Sequence, residues 1–210
     1  MLAGANPHIT NVTGQTPLHL ASQEGKTNAV EALLRNPELR VDDADKRNSN
    51  TALHYAALNG HTDTVNFLIG SGADKDAVDK NGNTALHLAV LFDKVDALKT
   101  LLKLKADPNL QNIHGNTPLH IAILQDNMES VRVLNNAKTN VAIKNKKGET
   151  STSLMKDKIS KIIPIDVIRK ILSASESKRR LDADPGKEGP LNKKLRAAQL
   201  GDEVAPRQRS

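Results

Sequence analysis

The chain's 210 residues suit one large domain or two small ones, and thirty Lys and Arg against twenty-four Asp and Glu leave a net charge of +6. Its 38% hydrophobic content is enough to bury a core and excludes wholesale disorder. Tyr55, Phe67 and Phe92 are the only aromatics, too few for base-stacking platforms, and the absence of cysteine excludes disulfides, thiolate metal sites and thiol nucleophiles. No apolar run approaches the roughly 20 residues of a membrane span, and no basic-then-apolar leader opens the chain, so a soluble, unprocessed protein is expected.

Residues 1–15 resemble the back half of a repeated unit, the stretch that elsewhere reads Gly72-Ala73-Asp74 through Gly82. The expectation is either a piece of a longer array or a first unit whose outer face, with Leu18, Leu20 and Leu33, has no polar cap. Four copies of one motif follow: Thr16-Pro17-Leu18-His19-Leu20-Ala21, Thr51-Ala52-Leu53-His54-Tyr55-Ala56, Thr84-Ala85-Leu86-His87-Leu88-Ala89 and Thr117-Pro118-Leu119-His120-Ile121-Ala122. The starts advance by 35, 33 and 33 residues, and a fifth start at Thr150 has decayed to Thr150-Ser151-Thr152-Ser153-Leu154.

Threonine before Pro or Ala is a helix N-cap with a good first-turn residue. In the second copy Gly60 breaks the helix, Thr62-Asp63-Thr64 restarts a second one with Val65, Leu68 and Ile69 on its apolar side, and Gly72 ends it. Asp79-Lys80-Asn81-Gly82-Asn83 then supplies a tight turn. So short a helix pair cannot bury its own face and must stack on its neighbours, with Leu53, Ala56, Leu68, Leu86, Ala89, Leu101, Leu119, Ala122 and Val133 expected in the shared core. Lys105 stands at the Gly72 position, and a left-handed cap there costs about 1 kcal/mol. Asp93 and Asp126 replace Gly25 and Gly60, which predicts tighter or distorted turns. Asn36-Pro37-Glu38 lengthens the first unit and should lie in a surface loop.

The motif and period resemble the ankyrin repeat over about residues 1–158. The resemblance implies an all-α solenoid of stacked helix pairs joined by β-turns, divided into repeats 16–48, 51–83, 84–116 and 117–149 and a degenerate 150–158. It also implies that His19, His54, His87 and His120 tie neighbouring loops; at about 10 Å per repeat they are too far apart to share a metal. His61 reads as structural, and His8 and His114 fall in turns. No zinc-protease helix, nucleophile elbow or phosphate loop is present, Gly70-Ser71-Gly72 lacking the downstream lysine, so no catalytic residue, metal or cofactor is expected.

Recognition, by the same resemblance, falls on the turn tips and the far ends of the first helices: Gln23 and Glu24; Arg47, Asn48, Asn50, Leu58 and Asn59; Lys80, Asn81, Asn83, Leu91 and Phe92; Ile113, His114, Asn116, Leu124 and Gln125. Leu58, Leu91, Phe92 and Leu124 read as an apolar strip with a polar rim, suited to a protein partner. The competing reading packs Leu91 and Leu124 into the turns opened by Asp93 and Asp126.

Residues 159–173 read as a short amphipathic helix with two readings. One is the second helix of the decayed fifth repeat, closing the array. The other rests on Ile163, Pro164, Asp166, Val167, Ile171 and Leu172, which resemble the opening of an F-box; that implies docking of the Skp adaptor of a cullin ubiquitin ligase, as in ankyrin effectors of poxviruses and intracellular bacteria. Residues 174–210, with net charge +3 from nine basic and six acidic side chains, should be a disordered basic tail. Arg179 and Arg180, then Lys193, Lys194 and Arg196, resemble a bipartite nuclear signal read by an importin. The location implied is intracellular, cytoplasmic or nuclear, including delivery into a host cell; the function expected is a non-enzymatic adaptor, with a passive binding or masking protein and, more weakly, a nuclear nucleic-acid-associated factor using the basic tail as the alternatives.

Overall fold

A computed structural model describes residues 8–137 and 139–162. The chain divides into two compact units, Met1–Asp157 and Lys158–Ser210, and of the second only the end of one helix is described. The described residues form nine helices and no strand: α1 (Pro17–Gln23), α2 (Thr27–Leu34), α3 (Ala52–Asn59), α4 (Thr62–Gly70), α5 (Ala85–Leu91), α6 (Val95–Lys103), α7 (Pro118–Leu124), α8 (Met128–Asn136) and α9 (Ser151–Ile162). The first helices pack in one row, α1 on α3 on α5 on α7, and the second helices in another, α2 on α4 on α6 on α8. Each helix pair is too short to stand alone, and the core runs continuously from Leu18 and Val30 through Leu53, Leu68, Leu86 and Leu101 to Leu119 and Leu134.

One expected core position is displaced by a residue. Val133 is only partly buried, whereas Leu134 is fully buried; stepping 33 residues from Leu101 lands on 134. Leu18 is buried as well, so the outer face of the first pair retains Leu20, exposed, and Leu33, partly buried. Pro37 and Glu38 lie exposed after α2, and Leu39 turns back into cover.

The turns within the helix pairs are alike. Gly25, Gly60, Asp93 and Asp126 all have left-handed backbones, with φ of 65, 83, 54 and 60°. The next residue donates to the same carbonyl each time: Lys26 to Ala21, His61 to Ala56, Lys94 to Ala89 and Asn127 to Ala122, at 2.7–3.0 Å. The expected distortion at Asp93 and Asp126 is absent; the aspartates adopt the glycine conformation and store the cost as backbone strain. Lys105 likewise sits at φ 66° where Gly72 has 93°. The same step in the fifth repeat falls on Ile159, and a β-branched residue is an outlier in that conformation. There the chain does not turn, and α9 continues to Ile162. Residues 163–210, with the F-box-like and nuclear-signal-like residues and the basic tail, lie outside the described residues.

Candidate functional site

Five turns project from the array, each closed by one asparagine or aspartate. The backbone N–H of Asn11, Asp45, Asp79, Asn112 and Asn145 donates to the carbonyl of Gln15, Asn50, Asn83, Asn116 and Glu149, at 2.9–3.0 Å. The same side chains accept backbone N–H groups inside the turn, as Asp79 Oδ1 does from Asn81 and Asn83 at 2.8 and 2.7 Å. This is the local bonding that makes Asx residues turn formers. Burial pushes the Asp45 carboxyl up, but N–H groups of Asn48, Arg47 and Asn50 with the Tyr55 hydroxyl outweigh it and hold it below the usual range. Successive turns are stitched edge to edge: Lys80 N–H donates to Asn48, Ile113 to Asn81 and Lys146 to His114, at 2.9–3.0 Å. A Cβ at Gly115 would stand 2.6 Å from Lys146 N, so the stitch needs glycine there.

The four motif histidines anchor these turns to the helices. The backbone N–H groups of Thr16, Thr51, Thr84 and Thr117 donate to the histidine Nδ1 at 3.0–3.2 Å. That fixes the neutral tautomer with its proton on Nε2. His54, His87 and His120 then donate from Nε2 to the carbonyls of Asn83, Asn116 and Glu149, at 3.0–3.1 Å. His19 donates from Nε2 to the Asp43 carbonyl at 2.8 Å. Burial holds all four rings below the ordinary histidine pKa, His87 at about 4. They are structural ties, as the family resemblance implied. His61 is another, donating from Nε2 to the Gln23 carbonyl at 2.9 Å across the first two pairs. Among the described residues no group of three or more His, Asp or Glu is placed to hold a metal ion.

On this frame Leu58, Leu91 and Leu124 occupy one step of successive first helices. Leu91, Phe92 and Leu124 are 41, 50 and 46% exposed, and Leu58 is half-buried. Immediately inward, Ala57, Val90 and Ile123 are buried. Leu91 and Leu124 therefore reach solvent. The Leu91 carbonyl accepts from Gln125 Nε2 at 3.2 Å, which joins these helix ends. Arg47, Lys80, Asn81, Ile113, His114 and Gln125 are exposed, while Asn48 and Asn59 are half-buried. Asn50 and Asn83 are buried in the turn roots, and Asn116 is half-buried like Asn48 and Asn59. Lys46, Lys146 and Lys147 are exposed tip residues that the repeat motif alone does not single out. The signal for the last two was the 33-residue step from Ile113 and His114, obscured because the fifth motif has decayed.

A family model described as ankyrin repeats, three copies, matches residues 1–79 and 66–147. Human NF-kappa-B inhibitor alpha is 37% identical over 79 residues, 36% of this chain and 25% of that protein. The mouse B-cell lymphoma 3 protein homolog is 39% identical over 79 residues, 37% of this chain and 18% of that protein. Alpha-latrocrustotoxin-Lt1a of Latrodectus tredecimguttatus is 38% identical over 74 residues, 35% of this chain and 5% of that protein. These matches span a quarter or less of the relatives' own length. With two-thirds of its residues under the family model and its helix pairs stacked in register, this chain belongs to the ankyrin-repeat family.

Proposed function

We propose that the chain is a non-enzymatic adaptor that captures a protein partner on the face formed by the turn tips and first-helix ends. The observation that carries this is the strip Leu58, Leu91, Phe92 and Leu124. Evenly spaced large apolar side chains reach solvent there, beside a fully packed core and under a polar rim, the composition of a protein-binding hot spot. NF-kappa-B inhibitor alpha is named for inhibiting another factor, which fits a mode in which the array holds and masks what it binds. Affinity purification with the native chain and with Leu91→Ser/Phe92→Ser tests the proposal. A partner set retained by the native chain and lost from the folded variant supports it, and identical sets overturn it.

A finer reading adds recruitment of the captured protein to a cullin ubiquitin ligase through Ile163, Pro164, Asp166, Val167, Ile171 and Leu172. Support comes from the motif spacing and from α9, which at Ile159 passes the point where a closing helix pair would turn. Pulldown of the Skp adaptor, abolished by Pro164→Ala/Leu172→Ala, is the expected result; no pulldown leaves capture and masking as the function. Import through Arg179, Arg180, Lys193, Lys194 and Arg196 is tested by the location of a fluorescent fusion with those residues changed to Ala.

A further inference from the structure

The charges of the turn tips are of one sign, whereas the ends of the first helices carry the exposed acids Glu24, Asp93 and Asp126. Residues 8–157 hold seventeen Lys or Arg and seventeen Asp or Glu, so the stretch is formally neutral. Yet the exposed charges on the turn tips, Lys46, Arg47, Lys80, Lys146 and Lys147, are all positive. The carboxylates at the turn roots do not offset them outwardly. Asp45 and Asp79 are 3 and 7% exposed, and their oxygens are engaged by backbone N–H groups. Glu149 Oε2 accepts from Asn145 Nδ2 at 2.9 Å. Lys80 is held in place by donating from Nζ to the Arg47 carbonyl at 3.1 Å.

Resting on the face proposed above, we infer that the partner presents an acidic segment with an apolar centre: carboxylates against the two basic groups of tips, aliphatic or aromatic side chains on Ile113 and the Leu91–Phe92–Leu124 floor. The order of the tips sets the pattern. Lys46, Arg47 and Lys80 come first, Ile113 is 46% exposed in the middle, and Lys146 and Lys147 close the row. Successive repeats stand about 10 Å apart, so the basic groups flank the isoleucine across about 30 Å, the length of a 20-residue helix. Nucleic acid fits this face poorly. The tips could meet phosphates, but Phe92 is the one exposed aromatic among the described residues, and unpaired bases need stacking surfaces. Steering of an acidic partner by these tips makes capture sensitive to salt.

The test is selection from a display library of random 20-residue peptides against the immobilised 210-residue chain, with counter-selection on the Leu91→Ser/Phe92→Ser chain. Enriched peptides are then measured by fluorescence anisotropy. The expected pool carries net negative charge around a central apolar cluster. Its members bind Lys80→Glu/Lys146→Glu/Lys147→Glu at least tenfold more weakly, and the Gln triple variant weakens them in the same direction if the Glu variant does not fold. Residues 158–210 are common to every variant, so their basic side chains cancel in the comparison. A pool of neutral or basic peptides that still needs Leu91 and Phe92 overturns the acidic partner and leaves the face standing. A pool that binds both variants as well as the native chain overturns the face itself. Displacement of the selected peptides by a 20-nucleotide oligothymidine at equal concentration also overturns the inference, in favour of nucleic acid.

Discussion

Ser153 stands one repeat beyond His120 and reproduces its cap without its reach. Ser153 Oγ accepts from Thr150 N–H at 3.0 Å and Ser153 N–H donates to Thr150 Oγ1 at 3.1 Å, a local cap like the Thr117–His120 pair. His120 also spans 29 residues to the Glu149 carbonyl, and a serine is too short to span to a following turn. The column of histidine ties therefore ends where the repeat motif decays.

The two positions should respond differently to truncation. His87→Ala removes the ring that serves Thr84 and Asn116 and leaves buried polar groups unpaired. At about 1–3 kcal/mol for each such group, a loss of roughly 2–4 kcal/mol is expected. Ser153→Ala removes only a cap, worth about 1 kcal/mol. Urea unfolding of the two variants measures the difference; equal losses would show that the histidine column adds nothing beyond capping.

Much of this architecture was legible in the sequence because each repeat names its parts. Threonine, histidine and the left-handed positions recur at fixed offsets, and the turns follow from single Asx residues. What stayed hidden depends on reach and register. Val133 and Leu134 are both apolar, and only the 33-residue step from Leu101 separates them. Asn50 and Asn83 have the composition of rim residues, but they lie buried in the turn roots. Ser49 holds the left-handed place that Gly82 and Gly115 occupy in other turns, with φ 58°, and no composition signal marks a serine for that conformation. Leu91 and Leu124 have two readings in the sequence, and their exposure of 41 and 46% beside buried Val90 and Ile123 appears only in the fold.

The register of the second helices makes a sharp comparison. Leu134 is fully buried, and Leu134→Ala should cost roughly 2–5 kcal/mol as buried leucine truncations do. Val133 is partly buried at the core margin, and Val133→Ala should cost about 1 kcal/mol or less. Thermal unfolding of both variants checks the assignment, and the reverse order would place the core one residue earlier.

Acid should weaken the array before most carboxylates titrate. In the folded chain burial holds the motif histidines below 6.5, His87 at about 4, whereas the unfolded chain takes up these protons near 6.5. A depressed histidine favours the folded state fully above pH 6.5 and loses that contribution as pH falls toward its folded pKa. For His87 the span corresponds to about 3 kcal/mol, and His19, His54 and His120 shift the same way. Urea midpoints between pH 7.5 and 4.5 should fall steeply. A flat profile over that range would show that the folded chain takes up these protons as readily as the unfolded one.

Lys105 offers a gain. Its left-handed backbone, φ 66°, follows α6 at the step where Gly72 follows α4, and the side chain is exposed. Lys105→Gly relieves about 1 kcal/mol of strain and gives back part of it through the greater freedom of glycine in the unfolded chain. A net stabilisation of about 0.5 kcal/mol is expected in urea unfolding, and any loss would mean that the lysine stem holds a contact worth more than the strain.

The exposed strip and the core beneath it should separate cleanly under substitution. Leu91 and Phe92 are 41 and 50% exposed at the end of α5, while Leu86 on the same helix is fully buried. Surface changes away from caps and core usually stay within about 0.5 kcal/mol, so Leu91→Ser/Phe92→Ser should leave Tm within a few degrees of the native chain. Leu86→Ser combines a cavity with an unpaired hydroxyl in the shared core and should cost roughly 3–5 kcal/mol. Because neighbouring pairs are stable only through their shared interfaces, that loss should spread to α3 and α7, where faster amide exchange would register it. A native-like Tm for the double variant, with partner capture lost, assigns the strip to recognition. A collapse like that of Leu86→Ser would assign it to the core.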